Sequence, residues 1–108
     1  ADDRRRLALA AEMITADGAE VVALGNFWAI DDTSGEVGLV VRDDWQRRGI
    51  GVALARSVMR AAEARGFDRF VAHVLSENTV VRRLLRHVGS IVSSTTRQGV
   101  SELTFSKR

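Results

Sequence analysis

Residues 36–65 read EVGLVVRDDWQRRGIGVALARSVMRAAEAR, and the reading of this stretch decides the fold. Val37 to Val41 is an apolar run of strand length, and Arg42 to Arg48 is a polar turn. The glycine pair Gly49 and Gly51 then opens directly into an amphipathic helix. Glycine lets a backbone approach a ligand closely, and the first amides of a helix have no partner within the helix. Those N–H groups lie at the positive end of the helix dipole, so the turn is a candidate anion site. Arg47 and Arg48 add positive charge beside it.

The flanking residues sharpen a weak glycine signal. Gln46-Arg47-Arg48-Gly49-Ile50-Gly51 resembles the Gln/Arg-x-x-Gly-x-Gly/Ala element with which the GCN5-related N-acetyltransferase (GNAT) family binds acyl-CoA. Leu39 to Trp45 resembles that family's lead-in, with Asp43 standing where proline is usual. A dinucleotide-binding fingerprint fails, because Leu54 lies three residues after Gly51, and a kinase-type phosphate loop lacks its Gly-Lys-Ser/Thr.

Outward from this stretch the chain reads as β-β-β-α-β-α-β-β. Leu7, Leu9, Ala11 and Met13 alternate as in a half-buried strand, although RRRLALAAEMI also suits a helix. Asp17-Gly18 is a hairpin turn, and Val21 to Ile30 is strand-like beyond it. That pairing favours strand on both sides of the turn. Asp31 to Gly35 is a second turn leading into the strand of the opening stretch. The helix after Gly51 turns Leu54, Val58, Ala61 and Ala62 inward and stops at Arg65-Gly66. Phe70 to Leu75 (FVAHVL) reads as a strand covered on both faces, parallel to Val37–Val41 through a right-handed crossover. A second helix after Asn78 places Val81, Leu84, Leu85 and Val88 on one side and ends at Gly89. Ser90 to Thr96 and Val100 to Phe105 form a closing hairpin around Arg97-Gln98-Gly99. The fold class is therefore mixed α/β (α+β), with a mostly antiparallel GNAT-like sheet.

The resemblance covers nearly all 108 residues, which are expected to be one acyl-CoA-binding domain. The family's first strand and the helices after it have no counterpart here, so the domain is expected to be incomplete at its N-terminus. The resemblance also implies a site. The backbones of Leu39, Val40 and Val41 would hold the pantetheine arm, with an amide near Val40 stabilising the transition state. Gln46, Arg47, Arg48, Gly49, Ile50, Gly51 and Val52 would hold the pyrophosphate. Asn78 would touch the pantetheine or the leaving thiol, and as a plain helix cap it would stand in the same place. Arg82 or Arg83 would reach a further phosphate. Glu36 to Arg42 spans roughly 20 Å if extended, comparable to a pantetheine arm. That places the Glu36 carboxylate near the thioester as the candidate general base. The family often supplies a tyrosine as general acid, but this chain has none, and Leu85 stands at that position. The expected activity is N-acetyl transfer from acetyl-CoA to a primary amine, a protein lysine or a small molecule. A non-catalytic acyl-CoA-binding module is the alternative.

Composition excludes other classes. The chain has no cysteine, which removes disulfides, thiolate metal sites and a cysteine nucleophile. His73 and His87 offer no metal-ligand spacing, and His73 within its apolar strand reads as a satisfied core or interface histidine. A net charge of +2 does not argue for nucleic acid, and no apolar run reaches membrane-span length. A cytoplasmic protein without a metal is the expectation, with the last hairpin a candidate edge for a homodimer or partner domain.

Overall fold

The computed structural model describes residues 5–46, 49–75 and 79–107. Strands β1 (Arg6–Thr15), β2 (Gly18–Ala29) and β3 (Ser34–Val41) form an antiparallel meander. Helix α1 (Ile50–Glu63) crosses to β4 (Arg69–Leu75), and α2 (Thr79–Val88) leads into the hairpin of β5 (Gly89–Arg97) and β6 (Val100–Lys107). All six strands join one sheet in the order β1-β2-β3-β4-β6-β5. Among the described residues, β3 and β4 alone pair in parallel. The expected order and mixed, mostly antiparallel sheet are both present.

The first segment is a strand despite its helix-forming residues. Thr15 pairs with Gly18 across a tight turn, and the ladder runs from there to Arg6 opposite Trp28. Gly18 takes φ +112°, and the Thr15 hydroxyl donates to the Gly18 carbonyl at 2.9 Å. Pairing along the whole strand outweighs a propensity difference of a few tenths of a kcal/mol per residue. At the other end of the chain, Gln98 and Gly99 both adopt positive φ, as a two-residue hairpin requires.

Both helices lie on the same face of the sheet. α1 turns Leu54, Ala55, Val58, Met59 and Ala62 onto it, and α2 adds Leu85 and Val88. Beneath them all four phenylalanines of the chain form a row. Phe27 meets Phe67 and Phe70 at ring-centroid distances of 4.9 and 6.0 Å, and Phe70 meets Phe105 at 5.9 Å. Such tilted and edge contacts add to the burial of large apolar area. Gly35 lies under this row, where a side chain would overlap the Phe27 ring.

The arrangement corrects two expectations. β4 is covered on one face rather than both, because neither helix crosses to the other side: Phe70 and Ala72 are buried while His73 is exposed. His73 is therefore not a core histidine. Its side chain is 45% exposed on the helix-free face. Among the described residues, no helix is long and apolar enough to cross a membrane.

Candidate functional site

The site is a fork between β3 and β4. Their ladder holds three pairs, Ser34 with Arg69, Gly35 with Phe70 and Glu36 with Val71, and then ends although both strands run on. The closed end is clamped from the preceding loop. The Thr33 carbonyl accepts from the amides of Asp68 and Arg69 at 2.9 and 3.2 Å. Asp31 shapes that loop, its Oδ1 accepting from the amides of Thr33 and Ser34 at 2.9 and 2.7 Å. The Thr33 and Ser34 donors hold the Asp31 carboxyl below the usual aspartate value.

Beyond the last pair, the ladder phase decides which groups of β3 face the opening. The Arg42 amide donates to the Val22 carbonyl at 2.9 Å, and the Ile30 amide to the Ser34 carbonyl at 2.9 Å. Antiparallel pairs alternate between bonded and non-bonded. Even-numbered backbone groups of β3 are thus turned to β2, while Val37, Leu39 and Val41 turn theirs toward the fork. This corrects the expectation for Val40, whose backbone is directed to Leu24 in the sheet and whose side chain is exposed on the helix-free face.

The open end of the fork meets the start of α1. Gly49 adopts φ +80°, a left-handed turn that swings the chain into the helix. The first bond within the helix runs from the Ala53 amide to the Gly49 carbonyl at 3.1 Å. The amides of Ile50, Gly51 and Val52 precede it and point along the axis. No acidic residue occupies the first turn of α1, so no carboxylate of that turn offsets the positive end of the dipole. Gly51 serves packing: a Cβ there would lie 2.6 Å from Leu84 Cδ1 and in contact with Val41 and Leu39. It lets α1 sit close to α2 and to the arm of β3.

Gln46 braces the turn. Its Nε2 donates to the Val41 carbonyl at 3.1 Å and to Asp43 Oδ1 at 3.2 Å, across a single 3-10 turn, Asp43–Trp45. The Arg42 guanidinium forks onto Asp44 at 2.7 and 3.1 Å, which raises its pKa further. Arg47, Arg48 and Asn78 lie outside the described residues, as does the side chain of Arg82. Arg83 is exposed on α2, and Leu85 is buried in the core.

Glu36 stands at the last paired position, at the crotch of the fork. Its carboxylate is directed across the helix-free face to β4, where Oε1 lies 3.0 Å from His73 Nδ1. The other ring nitrogen of His73 lies 3.0 Å from Glu102 Oε2 on β6. The Glu36 hydrogen bond, opposed by burial and aided by Glu102, raises the His73 pKa above the ordinary histidine value. On the other flank Trp28 pairs with Glu36 in register, and its ring edge lies over Gly38. The sequence pointed to Glu36 but not to His73 or Glu102. Alternation along FVAHVL was the signal that sets His73 on the face away from Phe70 and Ala72; the register that brings it to Glu36 is set by pairing. Among the described residues, no group of three or more His, Cys, Asp or Glu side chains could hold a metal.

A forked parallel pair opening onto a glycine-started helix agrees with the family comparison. The family model described as "Acetyltransferase (GNAT) family" matches residues 2–89. This chain belongs to that family. Acetyltransferase Pat of Mycolicibacterium smegmatis is 37% identical over 59 residues, which is 55% of this chain and 18% of the relative. The crystal structure of the GNAT domain of S. lividans PAT superposes with a TM-score of 0.81 at 28% identity. That match covers 98% of this chain and 63% of the other. A cAMP-binding acyltransferase from Mycobacterium smegmatis gives a TM-score of 0.78 at 26% identity, covering 99% and 33%. The chain thus spans less than two thirds of the length of each.

Proposed function

We propose that this chain transfers an acetyl group from acetyl-CoA to a primary amine, with Glu36 as the general base. One observation carries the reading: Glu36 occupies the last paired position of a fork whose far end meets the unpaired amides of α1. The amides of Ile50, Gly51 and Val52, with Gly49 setting their direction, suit a pyrophosphate. Arg47 and Arg48 would add charge there, and Asn78 is the candidate contact from the start of α2. The backbones of Leu39 and Val41 suit an extended arm laid along β3. When bound, acetyl-CoA supplies a thioester carbonyl open to attack by an amine. Glu36 takes the proton that an ammonium must lose before it can attack. Trp28 beside it is an exposed aromatic side chain, and an aromatic ring next to a carboxylate suits an alkylammonium. A lysine side chain of a protein is the acceptor class we favour, and the cytoplasm is the compartment that fits it.

One observation favours a second reading. The chain contains no tyrosine, so no phenol can protonate a departing thiolate, and an acyl-CoA-binding module without turnover is the alternative. A thermal-shift titration separates the possibilities. Acetyl-CoA at one hundred times its dissociation constant should stabilise the fold by about 2.7 kcal/mol, whereas adenosine should not. Glu36→Gln should keep that shift and lose most of the turnover. A folded sample with no shift refutes the coenzyme site. A shift without turnover in the parent selects the binding module, and an unchanged rate in Glu36→Gln removes Glu36 as the base.

A further inference from the structure

Three titratable side chains from three strands meet on the helix-free face: Glu36 of β3, His73 of β4 and Glu102 of β6. We infer that they act as one proton-accepting unit, in which Glu36 meets the acceptor amine while His73 and Glu102 store the proton it takes. The inference deepens the acyl-transfer reading above and rests on it. His73 and Glu102 work through Glu36 and are positioning residues.

The geometry argues for a stored proton. A neutral imidazole carries a single N–H, so it can donate to one carboxylate only; the other would face a ring lone pair. Both ring nitrogens of His73 lie 3.0 Å from a carboxylate oxygen. Both contacts are satisfied together when both nitrogens carry protons, which is the loaded state of the unit. In the unloaded state the unit has two carboxylates and a neutral ring, with charge −2. Loading one proton takes it to −1.

The transfer balances. An N–H bond of the ammonium breaks as an O–H bond forms on Glu36, directly or across one water. Glu36 passes that proton to His73 Nδ1, and the ring, hydrogen-bonded to Glu102 through Nε2, becomes imidazolium. The freed amine lone pair attacks the thioester carbonyl, and its second proton leaves with the thiolate. The stored proton returns to water through Glu102, whose side chain is 55% exposed. The arrangement also suits the energetics. Carboxylic acids as a class titrate about six units below an alkylammonium and histidine about four. Two flanking carboxylates narrow the remaining gap, which favours proton transfer near neutral pH.

Among the described residues, few other charges bear on the ring. Along β4 on the same face the next is Arg69, four residues away. On β3 the neighbours are Ser34 and Gly38, and on β6 the neighbour of Glu102 is Thr104. β5 contributes Thr95 opposite Glu102 and, two residues on, Arg97.

The test combines a pH profile with a direct titration. Acetyl transfer from acetyl-CoA to poly-lysine is followed against pH for the parent and for Glu102→Gln, and the His73 ring signal is titrated by NMR in both. His87→Asn assigns the second histidine. Removing one carboxylate disfavours the imidazolium, so Glu102→Gln should lower the His73 midpoint by roughly half a unit or more. The acid limb of kcat/KM should move down by the same amount, with a several-fold lower plateau, and Glu102→Asp should restore both. A merely structural role would lower the rate without moving the limb. An active parent whose limb and His73 midpoint do not move in Glu102→Gln overturns the unit alone. A folded, acetyl-CoA-binding parent that transfers nothing overturns the acyl-transfer reading and the unit with it.

Discussion

Replacing Gly35 by alanine tests the closed end of the fork directly. A Cβ at this position would overlap Cε1 and Cζ of Phe27 and lie 2.8 Å from the Trp28 carbonyl. The ring has nowhere to go: Phe27 is 1% exposed and held between Phe67 and Phe70. Forcing one extra carbon into such a core costs about 1–3 kcal/mol. Phe27→Leu opens space at the same spot and costs about 1–2 kcal/mol alone, less than the 3–5 of full truncation. If overlap with the ring is the cause, the double variant should cost little more than Phe27→Leu by itself. The coupling should then exceed about 1 kcal/mol, well outside the 0.3–0.5 kcal/mol within which independent sites add. Urea unfolding of the four proteins measures the cycle. Additive losses would refute the packing argument and leave the Trp28 carbonyl as the obstacle.

Two further outcomes are expected. At Gly49 nothing among the described residues lies within 4 Å of a Cβ, so the cost of a side chain there is the left-handed backbone alone. Gly49→Ala should lose about 1–2 kcal/mol and Gly49→Asn less, and equal losses in thermal unfolding would refute this. Asp31 has a folded pKa below its unfolded value, so its contribution to stability is fully present above about pH 4 and is lost as pH falls through the folded pKa. Asp31→Asn should therefore be less stable than the parent at pH 7, with the gap narrowing as pH falls through the folded pKa, and a gap that does not narrow in acid would refute the assignment.

Much of this architecture was legible because each element carries its own punctuation. Asp17-Gly18, Arg65-Gly66 and Gln98-Gly99 mark turns, and Gly18, Gly66, Gln98 and Gly99 all take positive φ. The helix stripe of α1 could be read from spacing, since Leu54, Val58 and Ala62 all reached the core, although Ala61 is only half-buried. What could not be read is long-range register. Whether FVAHVL is covered on one face or two depends on which side both helices choose, and no local pattern states that. The phase of the β2–β3 ladder, which turns Leu39 and Val41 rather than Val40 toward the fork, is likewise set by pairing. The core alternative for His73 failed for the same reason: an apolar neighbourhood in sequence is split between two faces in a strand.

The fork also has mechanical consequences. Three residue pairs and the Thr33 carbonyl bonds form a fulcrum between the β1-β2-β3 meander and β4, and five residues of β3, held to β2, extend roughly 16 Å beyond it. Over that length a rotation of a few degrees at the fulcrum displaces the tip by about an ångström, the scale on which hydrogen bonds are made or lost. On the proposed reading, the spacing between Glu36 at the crotch and the first amides of α1 at the tip is thus governed from the loop that closes the fork. Asp31, by fixing that loop, bears on the geometry at the opposite end of the strand.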